Sequence, residues 1–160
     1  MTGFAAIRTA PQHSTLASPR NGGMRAILIG HGVVGGGVAE RLPAGIDLQA
    51  IVVRSQRATC PRNIPVFTDP AEALALKPEL VIEALPGGAV AEAVIEQAVG
   101  AGAHVVSANK AVLARRADLV KAAEAKGRKL LYSAAVGGGV PVLETLESAR
   151  KRGRTILGVK

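Results

Sequence analysis

The sequence predicts an α/β domain: a doubly wound parallel sheet of about six strands with helices on both faces. Three observations predict it. Short apolar runs of strand length alternate with Ala-rich stretches at helical spacing from residue 24 onward, the pattern of right-handed βαβ crossovers. Hydrophobic residues make up 48% of the 160 residues, yet only Phe4, Phe67 and Tyr132 are aromatic, so the core is built from Val, Ile, Leu and Ala, as in strands buried on both faces. The third observation is the stretch from Arg25 to Arg54, where a strand becomes a helix through a glycine turn and a second strand follows.

Arg25 to Ile29 is the first strand, Gly30, Gly32 and Gly35 form G-x-G-x-x-G behind it, and Val34, Val38 and Leu42 recur at helical spacing before a second strand, Leu48 to Val53. That context gives each glycine a task. Gly30 allows the tight turn, Gly32 lets backbone approach a pyrophosphate, and Gly35 lets the helix lie against the sheet. The phosphates then meet the free N–H groups and positive dipole end of that helix. The reading is a Rossmann-type dinucleotide site, with Val33 and Val34 inside the turn as further candidate contacts. The residue ending the second strand selects the cofactor, an acid favouring NAD and an arginine accommodating the 2′-phosphate of NADP. Here it is Arg54, with Ser55 and Arg57 beside it and no acid between Asp47 and Asp69. NADP is therefore expected in preference to NAD.

Pro61 and Pro65 frame a loop, Pro65 to Phe67 is a short third strand, and Asp69-Pro70 opens a helix through Leu76 that Lys77-Pro78 ends. Leu80 to Leu85 is the fourth strand. It carries Glu83, which is costly in an apolar run unless it lies at the carboxyl end, facing the cleft or hydrogen-bonded, and is a candidate partner for a cofactor hydroxyl. Pro86 to Gly88 turns the chain into a helix with Val90, Val94 and Ala98 on one face, closed by Gly100 and Gly102. Ala103 to Val106 is the fifth strand. One helix is expected from about Asn109 to Lys126, with Leu113, Ala117, Val120 and Ala123 inward and Gly127 as its stop. Leu130 to Val136 is the sixth strand, and Gly137, Gly138 and Gly139 precede Pro141 at the start of a helix reaching Arg152, after which Gly153 is a stop and Thr155 to Val159 begins another element. The strand order expected is 3-2-1-4-5-6, with ligands beyond the carboxyl ends of the strands.

Residues 1–23 hold Pro, Ser and Gly without Asp or Glu or sustained periodicity, and are expected to be a disordered extension ahead of a single domain over 24–160. The net charge of +8 invites a nucleic-acid reading, but stacking aromatics are too few and the cations too scattered, apart from Arg150 to Arg154, to support it. No apolar run approaches the roughly 20 residues of a membrane span. Cys60 is the only cysteine, so neither an intrachain disulfide nor a cysteine metal cluster is expected, which fits a reducing cytoplasm.

A second constellation faces the same cleft. His104 to Ala114 (HVVSANKAVLA) puts Ser107, Asn109 and Lys110 at the end of one strand, and Tyr132 to Leu146 (YSAAVGGGVPVLETL) puts a glycine loop containing Gly137 at the end of the next. A lysine and backbone N–H groups placed there suit polarising a carbonyl beside a hydride donor. VVSANKAVLA, with LYSAAVGGGVPVLETL after it and GHGVVGGGV before it, resembles the nucleotide-binding domain of homoserine dehydrogenase over residues 24–159. The resemblance implies NAD(P)-linked interconversion of L-homoserine and L-aspartate 4-semialdehyde, in threonine and methionine biosynthesis, by a cytoplasmic protein that is usually dimeric. It implies that Lys110 is a catalytic lysine moving a proton to or from the substrate oxygen. Ser107, Asn109, Glu83 and Gly137 are read from their places at the strand ends as further cofactor contacts, with a helix cap the alternative for Ser107 and a structural hydrogen bond the alternative for Glu83. Many relatives carry an acid where Ser133 stands. Family members also continue into an N-G-T motif and a substrate domain, so the expectation for this chain is the cofactor half without turnover of its own. The alternatives are a stand-alone NADP-binding module and the cofactor domain of another dehydrogenase.

Overall fold

Successive side chains of the first strand, β1 (Met24–Ile29), enter opposite cores: Ile27 and Ile29 join one buried cluster, Ala26 and Leu28 the other. A strand apolar on both faces belongs inside a parallel sheet. The computed structural model describes residues 22–55, 60–61, 63–132, 134 and 142–155. Residues 1–21, Arg57, Ser133, Gly137 to Gly139, Pro141 and the stretch beyond Thr155, all named above, lie outside the described residues. The other strands are β2 (Ile46–Val52), β3 (Val66–Phe67), β4 (Leu80–Glu83), β5 (His104–Ser107) and β6 (Leu130–Leu131). All pair in parallel, in the order β3-β2-β1-β4-β5-β6 that the sequence predicts.

Helices follow the strands: α1 (Val33–Glu40), α2 (Pro70–Leu74), α3 (Ala89–Gly100), α4 (Lys110–Arg115), α5 (Asp118–Ala125) and α6 (Val142–Lys151). Ala73 of α2, five residues of α3, Val112 and Leu113 of α4, and Leu119 and Ala123 of α5 close over the core that contains Ile27 and Ile29. The opposite core, with Leu28, Ile51 and Ile82, is covered by Val38 and Ala39 of α1 and by Leu42, Cys60 and Ile64. Asp69 caps α2 as its spacing predicts, its carboxylate accepting the Ala71 N–H at 2.9 Å with Pro70 at the first helical position.

Two helical expectations are corrected. Of the face expected for α3, Val94 and Ala98 are buried with Ala91, Ile95 and Val99, but Val90 is 67% exposed and Ala91 takes the inward place in the first turn. The helix expected over 109–126 is two helices. Arg116 leaves the helical region at φ −117, ψ 50, so Ala117 is exposed in the break and Leu119 occupies the core. The break follows from what Arg116 binds. Its guanidinium donates to Glu92 at 2.7 Å, to Glu96 at 3.4 Å and to Asp118 at 2.9 and 3.0 Å, tying the α4–α5 junction to α3.

The hydrogen bond from Arg116 holds the Asp118 carboxyl below its ordinary pKa of 3.8. A group whose folded pKa is depressed stabilises the fold fully above its ordinary pKa and loses that contribution as pH falls through the lowered value. Urea unfolding of wild type and Arg116→Gln should therefore give midpoints furthest apart near neutral pH and converging as pH falls from about 4 toward 2; a gap that widens in acid would contradict this account.

Candidate functional site

The register of the sheet lines up Val52, Ile29, Glu83 and Ser107 across β2, β1, β4 and β5. All four strands end at or next to this row, so the residues just after it share one edge. These are Gly30 after β1, Arg54 after β2, the Ala84 to Gly88 loop after β4, and Asn109 and Lys110 after β5. At about 4.8 Å per strand, the lysine stands roughly 10 Å along the edge from the glycine turn. The edge assembles the residues that the sequence singled out in two separate stretches.

At β1 the glycines differ in what they permit. Gly30 has φ +98, and a Cβ there would lie 2.6 Å from the Ala84 carbonyl oxygen. A Cβ on Gly35 would run into the carbonyl of Gly30. At Gly32 a Cβ would meet nothing within 4 Å, so this position faces open space above the turn. Gly32 is also the N-cap of α1 and supplies no side-chain cap, and the first turn contains no acid. The initial N–H groups of α1 are left to an outside acceptor, the condition for holding a phosphate. Val33 and Val34 rise from the same turn, 97% and 56% exposed.

Arg54 and Ser55 are exposed at the end of β2, and Arg54 has no ion-pair partner among the described residues. Lys110, the first residue of α4, is likewise exposed and unpaired among them. Both contrast with Arg116, whose charge three carboxylates share. The cations at the edge are thus available to an anion.

Glu83, Ser107 and Asn109, read from the sequence as cofactor contacts, are only 1%, 0% and 5% exposed. Their polar atoms are engaged with one another and with backbone. The Ser107 hydroxyl donates to Glu83 Oε2 at 2.6 Å, the Leu85 N–H donates to Glu83 Oε1 at 2.8 Å, and the Asn109 N–H donates to Ser107 Oγ at 3.0 Å. Asn109 Oδ1 caps α4 by accepting the Val112 N–H at 3.4 Å. This geometry favours a frame beneath the site over a direct contact. His104 sits at the opposite end of β5, where Nδ1 accepts the Lys129 N–H at 3.1 Å. Cys60 packs beside the second core, and burial pushes its thiol above the ordinary cysteine range, which disfavours a nucleophile.

Sequence periodicity missed a groove of about 340 Å³ between the start of α2 and one side of α3, lined by Pro70, Ala71, Val90, Ala93 and Gln97 among others. It accounts for the exposure of Val90. The 90, 93, 97 spacing was the available signal, but the same spacing also describes a core face. Among the described residues there is no group of three His, Cys, Asp or Glu able to hold a metal, and no helix is long and apolar enough to cross a membrane.

Residues 30–133 match the family model of the homoserine dehydrogenase NAD binding domain. Homoserine dehydrogenase of Synechocystis is 36% identical over 148 residues, covering 82% of this chain and 34% of that protein. The crystal structure of a homoserine dehydrogenase from Thiobacillus denitrificans superposes with a TM-score of 0.69 at 28% identity, over 81% of this chain and 33% of that one. GenD2 from gentamicin A biosynthesis, solved in complex with NAD, gives 0.65 at 26% identity, over 91% and 43%. The chain spans about a third of the length of the curated relatives it matches.

The glycine geometry separates folding from binding. Gly35→Ala should lower the urea midpoint and loosen α1, at a cost of about 1–3 kcal/mol for a forced clash, whereas Gly32→Ala should leave the midpoint in place and weaken dinucleotide binding. Equal stability losses in the two variants would overturn this division, and titrations with each variant supply the second measurement.

Proposed function

This chain belongs to the homoserine dehydrogenase family as its NAD-binding domain, and from that premise we propose that the carboxyl edge of its sheet holds NADP in preference to NAD. We propose further that, together with a substrate domain, it serves the oxidoreduction between L-homoserine and L-aspartate 4-semialdehyde. The observation that carries the reading is the shared edge: the uncapped N-terminus of α1, the open Gly32 position, exposed Arg54 and exposed Lys110 all follow one row of the sheet. The residues present fit a diphosphate at the glycine turn, since donors are available there, the first turn of α1 carries no acid, and there is room for it.

When bound, the cofactor supplies or accepts the hydride. The chain's residues do the rest. Gly30 and Gly35 bring the start of α1 to the sheet edge, where its first N–H groups would donate to the diphosphate, with Val33 and Val34 beside it. Arg54, with Ser55 beside it, pairs with the 2′-phosphate through charge-assisted bonds. Lys110 holds a proton near the substrate oxygen, giving it up as a carbonyl becomes an alcohol and taking it back in the reverse direction. A cation in the first turn of a helix is opposed by the dipole, and a bound anion offsets that opposition.

Two measurements test this. Arg54→Asp should weaken NADPH binding by about tenfold or more, the worth of a charge-assisted hydrogen bond, while NADH binding falls far less; equal losses would remove Arg54 from the 2′-phosphate. In a protein that also carries the substrate domain, Lys110→Ala should cut turnover by about a hundredfold or more with dinucleotide affinity nearly unchanged, as read from NADPH fluorescence titration.

A further inference from the structure

Glu83 poses a question that dinucleotide binding does not answer. It ends a strand whose other residues, Leu80, Val81 and Ile82, are apolar and buried, and it has no ion-pair partner among the described residues. Burying a carboxylate is unfavourable unless its oxygens are hydrogen-bonded. Both are: one accepts the Leu85 N–H at 2.8 Å, the other the Ser107 hydroxyl at 2.6 Å.

The direction of these bonds carries the inference. A serine hydroxyl has one hydrogen, and Glu83 accepts it. That leaves Oγ to accept the Asn109 N–H at 3.0 Å. Asn109 then caps α4 through the Val112 N–H at 3.4 Å, and its Nδ2 reaches back to the Leu85 carbonyl at 3.5 Å. The loop after β4 passes close to the same cap, since a Cβ on Gly87 would lie 3.3 Å from Asn109 Oδ1. Lys110, itself exposed, lies in the chain between Asn109 and Val112, the two residues that the cap bond joins. It is the first residue of a helix only six residues long, which has little intrinsic tendency to hold its own position.

We propose that Glu83 is a positioning residue: by orienting the Ser107 hydroxyl it locks the Asn109 cap and holds Lys110 at one place on the cofactor edge. This deepens the reading of Lys110 given above and rests on it. Glutamine cannot replace the acid, because the relay needs two acceptors and an amide offers one acceptor and one donor. Whichever way the amide turns, the Ser107 hydrogen or the Leu85 N–H loses its partner.

The test uses the 160-residue chain, with backbone amide exchange by NMR and the ε-methylene signal of Lys110 recorded with and without saturating NADP⁺. Glu83→Gln and Ser107→Ala should each speed exchange at the Asn109 and Val112 amides by about fivefold to tenfold, the scale of a lost helix cap, leaving α3 and α5 unchanged. Ser107→Thr, which keeps the hydroxyl, should return both amides toward wild type. In Glu83→Gln the NADP⁺-induced displacement of the Lys110 signal should shrink by half or more, as expected of a helix turn freed from its cap, while the NADP⁺ dissociation constant stays within about threefold. Should Glu83→Gln unfold, visible as faster exchange throughout α3 and α5, the Ser107→Ala and Ser107→Thr pair decides. Unchanged exchange at Val112 in Ser107→Ala, or a threonine variant no better than alanine, overturns the positioning proposal alone. A wild-type Lys110 signal indifferent to NADP⁺ overturns the assignment of Lys110 to the site, and the proposal with it.

Discussion

The site depends on two missing Cβ atoms. Gly30 passes so close to the Ala84 carbonyl, and Gly35 so close to the Gly30 carbonyl, that any side chain at either position would force β1, β4 and α1 apart. Their absence lets α1 begin with only three residues between it and the end of β1, its free N–H groups at the sheet edge. Backbone also approaches backbone between the strands here, Ala84 N–H donating to the Ile29 carbonyl at 2.8 Å and Gly30 N–H to the Val52 carbonyl at 2.9 Å. The row of Val52, Ile29, Glu83 and Ser107 is held in register at the point where the chain turns out of the sheet. Residues distant in sequence share the edge because of it.

Where the structure was legible in the sequence, the signal was local. The Gly30, Gly32 and Gly35 spacing, the Asp69-Pro70 start of α2 and the apolar strand runs each report a constraint satisfied within a few residues, and these elements stand close to their expected places, except β6, which ends at Leu131 where a run through Val136 is expected. The failures are long-range. The break at Arg116 reflects carboxylates on Glu92 and Glu96, 24 and 20 residues earlier, and no local rule separates Arg116 from Arg115 beside it. In α3 the expected Val94 and Ala98 are buried, and only the first turn differs, where Ala91 rather than Val90 is inward and Val90 borders the groove beside α2. Glu83 and Ser107 were both noticed singly, but their bond exists only because β4 and β5 pair in a register that places them opposite one another.

The basic charge of the chain takes on meaning once its cations are sorted by partner. Arg116 is neutralised by three acids, and Arg25 and Lys151 each face one. Such pairs on the surface contribute little to stability singly, but they leave a smaller set of cations to act on ligands. Arg54 and Lys110 belong to that set and lie on either side of the glycine turn along the edge. Their fields add to the positive end of α1 and favour an anion spanning from one to the other.

The acid at the end of β4 tests whether the edge is merely a surface or a built site. Were the strand selected for packing alone, Leu80, Val81 and Ile82 would be followed most favourably by a fourth apolar residue, because buried carboxylates replaced by apolar groups of similar volume are often neutral or stabilising. Glu83 occupies an interior position with two hydrogen bonds and no ion-pair partner among the described residues. One of its bonds joins β4 to β5, already paired through backbone. From there the bonds run outward along Ser107 and Asn109 to the helix that begins with Lys110. A short helix capped by such a chain holds its first residue more closely than its own six residues allow, and that closeness matters for the proton transfer proposed for Lys110, where the donor must lie within hydrogen-bond reach of the reacting oxygen.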